Sequence, residues 1–288
     1  MAFSITARAA AGEPQTADPS PPPPVRIPGQ PGAWRRYEGL LIGALTVLVF
    51  VSIWQFIAWP THRIMPELFL PGPVDIANAF GAYVAKGQIW NDLWVSGQEL
   101  VLGFLLAIVV GLPLGMAIGW YRRLSYALDP FVTFFNAIPR VSLTPLFIIW
   151  FGIGINSKLA VVFLGAVFAI LINAGVGVRN LDPALIKAAR SFGANDLQLF
   201  RTVVLPGCVP YILAGFRLGL AHALTGVVVA ELVAAQAGIG LMMATAGATF
   251  QTSRVFVGLV IIAVTGVLIT FGFSQIEKRF QNWKPTPT

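Results

Sequence analysis

Three charged residues lie inside long apolar stretches of this sequence: Arg140, Arg217 and Glu231. A charge at the centre of a membrane helix costs about 2.5–3.5 kcal/mol on insertion scales, so each of these residues needs a partner or a function. Charges in such positions line solute paths, operate gates or pair with other buried groups. We therefore treat the three residues as candidates for a translocation path or a gate.

Arg140 has the deepest predicted position of the three. It lies about 15 Å into a predicted span if the helix is continuous, close to the middle of a ~30 Å hydrocarbon core. Two interpretations are open. Arg140 lines a water-filled cavity, where it favours a passing anion, or it is satisfied by Glu231 of another segment or by the carbonyl groups that Pro139 and Pro145 free.

Arg217 and Glu231 belong to one predicted span. Arg217 lies about 10 Å along the helix from Pro210, so snorkelling of its side chain to the cytoplasmic surface is an alternative to a path function. Glu231 follows on the same helix face about 21 Å away, which excludes a direct ion pair with Arg217. Because Glu231 precedes a glycine-rich segment, it is either a gate for that segment or a hydrogen-bond anchor.

The sequence contains no recognisable catalytic site. Its nearest approach to a phosphate-binding loop, residues 152–159, lacks the second glycine and the Ser or Thr after the lysine. It has neither a Gly-x-Ser-x-Gly nucleophile elbow nor a His-Glu-x-x-His pair. Its single cysteine, Cys208, excludes an internal disulfide and a multi-cysteine metal site. We expect a non-catalytic chain that itself holds no cofactor and no metal.

The composition indicates a membrane protein. Of the 288 residues 56% are hydrophobic and only 11% are charged, whereas a soluble domain has about 25% charged residues. The net charge of +7 is spread over short loops rather than clustered, which argues against a nucleic-acid partner. The lipid bilayer is the expected environment, and the expected fold class is an all-α polytopic membrane protein.

Apolar runs predict about six transmembrane helices. The predicted spans are about 39–59, 98–120, 130–151, 159–178, 210–234 and 255–275, and Pro139 and Pro145 are predicted to break the third. Residues 74–85 are predicted as a surface helix and residues 152–158 as a tight external turn. The Gly- and Ala-rich residues 236–254 are predicted to be re-entrant or pore-lining.

Residues 1–33 are rich in Pro, Ala and Gly. Such a segment buries little apolar surface, so a disordered cytoplasmic tail is predicted. Residues 34–283 are predicted to form the transmembrane domain, and residues 284–288 a short carboxyl-terminal tail. No small-residue cleavage site follows the Arg35-Arg36 pair, so the first helix is predicted to be retained.

Lys and Arg residues predict the orientation of the chain. Placing the amino terminus inside puts thirteen of them in the cytoplasm and four outside, and the excess without the long tail is eleven to four. The four external residues are Arg63, Lys86, Lys158 and Arg254. Both termini and residues 181–206 are therefore predicted to be cytoplasmic, with residues 60–97 outside.

Residues 181–206 form a long polar island in the apolar second half of the sequence. Asp182 and Pro183 predict a helix N-cap followed by proline at the first helical position. Gly193 separates this helix from a second short amphipathic helix, which Pro206 is predicted to close. We predict two short helices joined at a glycine, forming a rigid knob that protrudes into the cytoplasm.

This knob resembles the EAA loop of ATP-binding-cassette importer permeases. The family pattern is Glu-Ala-Ala, three residues, Gly, nine residues, an aliphatic residue, one residue, Leu-Pro. The residues at those positions here are Lys187, Ala188, Ala189, Gly193, Val203, Leu205 and Pro206. Lys187 departs from the pattern, which has Glu there. In the family the loop docks into a groove on the ATP-hydrolysing subunit, so the resemblance implies that these residues form an ATPase-coupling loop.

Further motifs resemble the nitrate/sulfonate/taurine/bicarbonate branch of these permeases. They lie at residues 138–146, 150–154, 215–217, 226–231, 238–241 and 281–283. The resemblance implies a bacterial inner-membrane protein that pairs with a second permease copy, as a homodimer. It also implies two ATP-binding subunits, which carry ATP and Mg, and a periplasmic or lipid-anchored solute-binding protein.

The predicted function is that of the permease subunit of an ATP-driven importer for a small oxyanion. One alternative is a secondary transporter that works without an ATPase subunit, which would predict repeated halves with interrupted helices at matching positions. A second alternative is an ion channel, which would predict a filter-like loop or a ring of charges. Neither pattern is visible in the sequence, and neither alternative needs the knob.

Overall fold

The computed structural model describes residues 33–58 and 68–280. Within these residues the fold is all-α, as predicted, and no strand occurs among them. The helices are α1 (Ala33–Ile57), α2 (Pro73–Ala85), α3 (Gln88–Trp120), α4 (Arg122–Ala137), α5 (Thr144–Phe151), α6 (Ile155–Arg179), α7 (Pro183–Ser191), α8 (Asp196–Leu199), α9 (Leu205–Ala234), α10 (Ile239–Ala248) and α11 (Thr252–Phe280). Nearly all of the predicted amino-terminal tail, and the whole predicted carboxyl-terminal tail, lie outside the described residues.

The chain divides into two units, one ending at Phe50 and the other beginning at Val51. The described part of the first unit is the beginning of α1. In the second unit the end of α1 is joined to the segment before α2. The indole Nε1 of Trp54 donates to the carbonyl of Pro71 at 3.1 Å, and the amide of Val74 donates to Gln55 Oε1 at 3.0 Å.

Helix α6 forms the centre of the second unit, between α3 and α9. Glycines four residues apart on α3 allow the first contact, since a Cβ atom added at Gly115 would lie 2.3 Å from the carbonyl oxygen of Leu171. On α9, a Cβ atom added at Gly215 would lie 2.9 Å from Asn173 Cβ. Small residues of both α3 and α9 therefore pack closely on α6.

Four described helices are long and apolar enough to cross a membrane: Gln88–Trp120, Ile155–Arg179, Asp196–Val233 and Thr252–Ile276. A fifth span is possible if the bent pair Arg122–Ala137 and Arg140–Phe151 counts as one. The apolar stretch of α1, Leu41–Ile57, belongs to a shorter class of 10–17 residues. The predicted number of six spans therefore stays a prediction.

The predicted third span is not a continuous helix. Its two halves meet at an angle of 89°, because Pro139 has extended backbone angles and separates α4 from the 3-10 turn Arg140–Leu143. Pro145 causes no break, since it occupies the first turn of α5, where its missing N–H costs no hydrogen bond. The depth of 15 Å for Arg140 required a continuous helix, so it does not follow for this bent segment.

The sequence predicted that Pro206 closes the second helix of the knob. This prediction is wrong, because the helix continues past Pro206. The chain is helical from α8 through a wide π-type turn, Phe200–Val204, and onward into α9. Proline within a helix removes a backbone hydrogen bond and crowds the carbonyl four residues earlier, and π-type turns accommodate such local irregularities within helices. The second helix of the knob and the fifth predicted span are thus one helical rod, Asp196–Val233.

Candidate functional site

The knob has the helix–glycine–helix form that its sequence predicts. Asp182 caps α7 by accepting a hydrogen bond from the amide of Ala184 at 2.8 Å. Gly193 has a φ angle of +78°, which L-amino acids rarely adopt, and a Cβ atom added there would meet nothing within 4 Å. Asn195 and Gln198 then form a reciprocal capping box at the start of α8, with bonds of 2.8 and 3.0 Å.

The two sides of the knob differ in exposure. Ala189 and Val203 pack against a buried cluster that includes Leu199, Val204 and Cys208, which attaches the knob to the membrane helices. Outside this cluster five large apolar side chains of the knob are exposed: Leu185 (56%), Phe192 (92%), Leu197 (59%), Phe200 (40%) and Leu205 (37%). The remaining matched positions, Lys187, Ala188, Gly193 and Leu205, are also exposed, whereas Pro206 is half-buried.

Arg140 lines a cavity of about 370 Å³ between the end of α4, α6 and α9. Its Nη2 donates to Asn136 Oδ1 at 2.8 Å, while its buried Nε has no hydrogen-bond partner among the described residues. His222 and Thr225 of α9 line the same cavity. No ion pair between Arg140 and Glu231 occurs among the described residues, whereas a cavity beside Arg140 is present.

Glu231 is a buried hydrogen-bond anchor, exposed by only 1%. Its carboxylate accepts from Ser96 Oγ and from the amide of Gly240, both at 2.6 Å. Ser96 Oγ in turn accepts from the amide of Ile239 at 3.0 Å, and Asp92 Oδ1 accepts from the amide of Gly238 at 3.0 Å. Three consecutive amides at the amino end of α10 are therefore held by side chains of α3 and α9. We call Asp92, Ser96 and Glu231 the carboxylate clamp.

Tyr83 of α2 joins the clamp from outside the spans. Its hydroxyl donates to Asp92 Oδ2, and the guanidinium of Arg254 lies 5.9 Å from the centre of its ring. Burial and the neighbouring Asp92 carboxylate raise the pKa of Tyr83 well above its usual value. The hydroxyl therefore stays protonated and remains a donor to Asp92.

A buried ion pair joins Glu99 of α3 to Lys158 of α6, with Lys158 Nζ 2.6 Å from Glu99 Oε1. The two residues are only 1% and 6% exposed, so the sequence-based assignment of Lys158 to an exposed external turn is wrong. The reason is that α6 already begins at Ile155, so Lys158 belongs to the first turn of a helix and not to the predicted turn 152–158. Sequence reasoning missed Glu99 altogether. The available signal was that Glu99 and Lys158 carry opposite charges and lie at the amino-terminal ends of two apolar runs, 98–120 and 159–178.

The three predicted path residues do not meet within the described chain. Arg217 lines a separate cavity of about 550 Å³ between α9 and α11. Glu231 borders a third cavity of about 80 Å³ that also contains Ser96. Arg140, Arg217 and Glu231 therefore occupy three different cavities, and only that of Arg140 also contains a histidine.

A family model described as the binding-protein-dependent transport system inner membrane component matches residues 103–282, more than half of the chain. This chain belongs to that family. A protein named as an aliphatic sulfonates transport permease of Bacillus subtilis (strain 168) is 35% identical over 250 residues, which cover 87% of this chain and 90% of that one. The taurine transport system permease protein of Escherichia coli (strain K12) is 33% identical over 259 residues, covering 87% and 93%.

The fold is also similar to that of a solved transporter. A chain of the MetNI methionine ABC transporter in an inward-facing conformation superposes with a TM-score of 0.61 at 20% identity, covering 67% of this chain and 96% of that one. At this identity the likeness concerns the fold alone. Together, the family and the relatives identify the protein as a multi-pass inner-membrane permease of the ATP-binding-cassette type.

Proposed function

We propose that this permease is the membrane subunit of an ATP-driven importer that moves a small oxyanion into the cytoplasm. The proposed solute is a sulfonate such as taurine, or else nitrate or bicarbonate. Two relatives are named for transport of aliphatic sulfonates and of taurine, and a fixed guanidinium lines a cavity among the membrane helices. A positive charge in such a cavity attracts an anion and raises its local concentration.

The form of the knob supports coupling to an ATPase subunit. The knob exposes large apolar side chains, among them Leu185, Phe192 and Leu197. Exposed apolar patches on an otherwise polar surface are typical of protein contacts. The second helix of the knob continues into α9 as one helical rod. A displacement of the docked knob would therefore be transmitted along α9, which carries both His222 at the cavity and Glu231 in the clamp.

The proposed assembly has two permease copies, two ATP-binding subunits and an external solute-binding protein. ATP and Mg would be bound by the ATP-binding subunits, and this chain would hold neither. Both termini and the knob would face the cytoplasm, in accordance with the excess of basic residues on that side.

Co-purification and reconstitution test this proposal. The permease expressed with its ATP-binding subunit is expected to purify at equal stoichiometry and to take up taurine into proteoliposomes only when ATP and the solute-binding protein are present. Uptake by the permease alone, driven by an ion gradient, would instead support the secondary-transporter alternative.

Gly193 provides the sharper test of coupling. Gly193→Leu places a β-carbon at a φ angle of +78°, where an L-residue costs about 1–2 kcal/mol. The expected result is a membrane-inserted protein whose ATP-dependent uptake is lost. Asn tolerates this backbone region best among L-residues, so Gly193→Asn is the matched control and should retain most of the activity. Normal uptake and normal ATPase stimulation in the Leu variant would contradict the coupling function.

A further inference from the structure

The cavity beside Arg140 has the charge of an anion site. All residues that line it are described, and none of them is acidic. Arg140 also forms no ion pair with another described residue. Its volume of about 370 Å³ lies within the usual range of small-molecule sites, about 300–1,000 Å³. The charge of the guanidinium is therefore available to a ligand.

Hydrogen-bond donors converge on the same space. Asn136 uses its carbonyl oxygen to accept from Arg140 Nη2, which leaves its NH₂ group as a donor. The Nε of Arg140 is buried and lacks a hydrogen-bond partner among the described residues, so the guanidinium offers the cavity its terminal NH₂ groups. His222 lies near enough to interact electrostatically with Arg140, and its imidazole offers at least one N–H donor in either charge state.

Apart from Thr225, whose hydroxyl donates to the carbonyl of Ala221 at 3.1 Å, the side chains of the remaining wall are apolar. Val141, Val161 and Val229 line the cavity beside the polar group. Gly165 of α6 permits a close approach to α9, because a Cβ atom there would lie 3.1 Å from the backbone oxygen of His222. The site thus combines one fixed positive charge and several donors with a short apolar wall.

We propose that Arg140, Asn136 and His222 form a cradle for the sulfonate group of a small aliphatic sulfonate, with the alkyl part against the valine side chains. The inference rests on the proposed import of an oxyanion and names the subsite and the solute class. A planar guanidinium matches two oxygens of such a group, and one positive charge balances a monoanion. A dianion such as sulfate would keep an unbalanced negative charge and lacks an alkyl part.

Binding by the full-length chain purified in detergent tests the cradle without an ATPase or a binding protein. The probes are ethanesulfonate and sulfate, titrated by saturation-transfer NMR. Asn136→Asp replaces an exposed amide by a carboxylate of the same shape, which would neutralise Arg140 within the cavity. This change and Arg140→Gln are expected to weaken ethanesulfonate binding about tenfold or more, as for loss of a charged hydrogen bond. Arg123→Gln, on the exposed start of α4, is the matched control and should bind as the wild type does.

The outcomes separate this inference from the proposed function. Equal ethanesulfonate affinity in the wild type, Asn136→Asp and His222→Gln would overturn the cradle, even if ATP-dependent uptake remains. Sulfate binding as tight as ethanesulfonate binding would overturn the assignment to monoanions. If the wild-type complex shows no ATP-dependent uptake while the chain binds ethanesulfonate through these residues, the importer function is contradicted and the cradle is supported. If Arg140→Gln does not fold, Asn136→Asp decides, because Asn136 is exposed and retains its acceptor for Arg140.

Discussion

Lys158 and Glu99 are buried together as an ion pair. The contribution of each residue to the stability of the fold therefore depends on the presence of the other. The lysine ammonium contacts one carboxylate oxygen, while the other oxygen, Glu99 Oε2, is buried without a hydrogen-bond partner among the described residues. The field of Glu99 and Lys158 also reaches Glu231 of the carboxylate clamp. At the scale of single residues, the pair therefore links α3 and α6 beside the clamp.

Removal of one partner is expected to cost far more than removal of both. Lys158→Met leaves the Glu99 carboxylate buried and uncompensated, which typically destabilises by about 3–5 kcal/mol. The double variant Lys158→Met/Glu99→Leu replaces the pair with apolar side chains and should recover most of that loss. The measurement is the apparent melting temperature of the purified chain in detergent. Equal melting temperatures for the single and double variants would show that the pair is not energetically coupled.

Helix α10 illustrates how elements depend on tertiary partners. It is only ten residues long, and isolated helices of this length are marginal in water. Its amino end is stabilised by the clamp, whose carboxylates also suit the positive end of the helix dipole. Its apolar side chains pack with α2 and α11 in a cluster that includes Tyr83, Ile239, Met243 and Val257.

Two glycines of α10, Gly240 and Gly247, permit a matched experiment at the scale of this element. At Gly240 an added Cβ would lie 2.5 Å from Glu231 Cβ and 2.8 Å from the carbonyl of Val228, whereas at Gly247 it would meet nothing within 4 Å. Gly240→Ala is expected to displace α10 from the clamp and to lower the apparent melting temperature. Gly247→Ala should be neutral or stabilising, by up to about 1 kcal/mol, because alanine favours the helix. Similar effects of the two substitutions would contradict the close packing of Gly240.

In the second unit α6 packs between α3 and α9, and the rod Asp196–Val233 joins the knob to these helices. The orientation of these helices in the membrane is a prediction from the distribution of basic residues. It places Lys86, between α2 and α3, outside and Ser191, in the knob, inside. Both positions are exposed and thus suitable for chemical labelling.

Cysteine labelling tests that orientation. Lys86→Cys and Ser191→Cys are each made in a Cys208→Ser background, and intact cells are treated with a membrane-impermeant thiol reagent. Position 86 is expected to react, and position 191 only after the membrane is permeabilised. The reverse pattern would invert the predicted topology and place the knob on the wrong side for an ATPase.

The sequence by itself determined the all-α membrane class, the family resemblance, and the helix–glycine–helix form of the knob. These depend on local information, since hydropathy, caps and glycine positions act over a few residues of chain. Glu231 and Arg140 were also found from sequence, because a charge within an apolar run is visible without a structure.

Only the tertiary structure decided which groups meet. The clamp joins Asp92 and Ser96 to residues about 140 positions later in the chain, and the ion pair joins residues 59 positions apart. The break at Pro139 was predicted from the sequence, whereas the continuation of a helix through Pro206 depends on packing against neighbouring helices. Hydrophobic pattern specifies that a helix is buried, but the partner of a buried polar group is selected by packing, which no local stretch of sequence encodes.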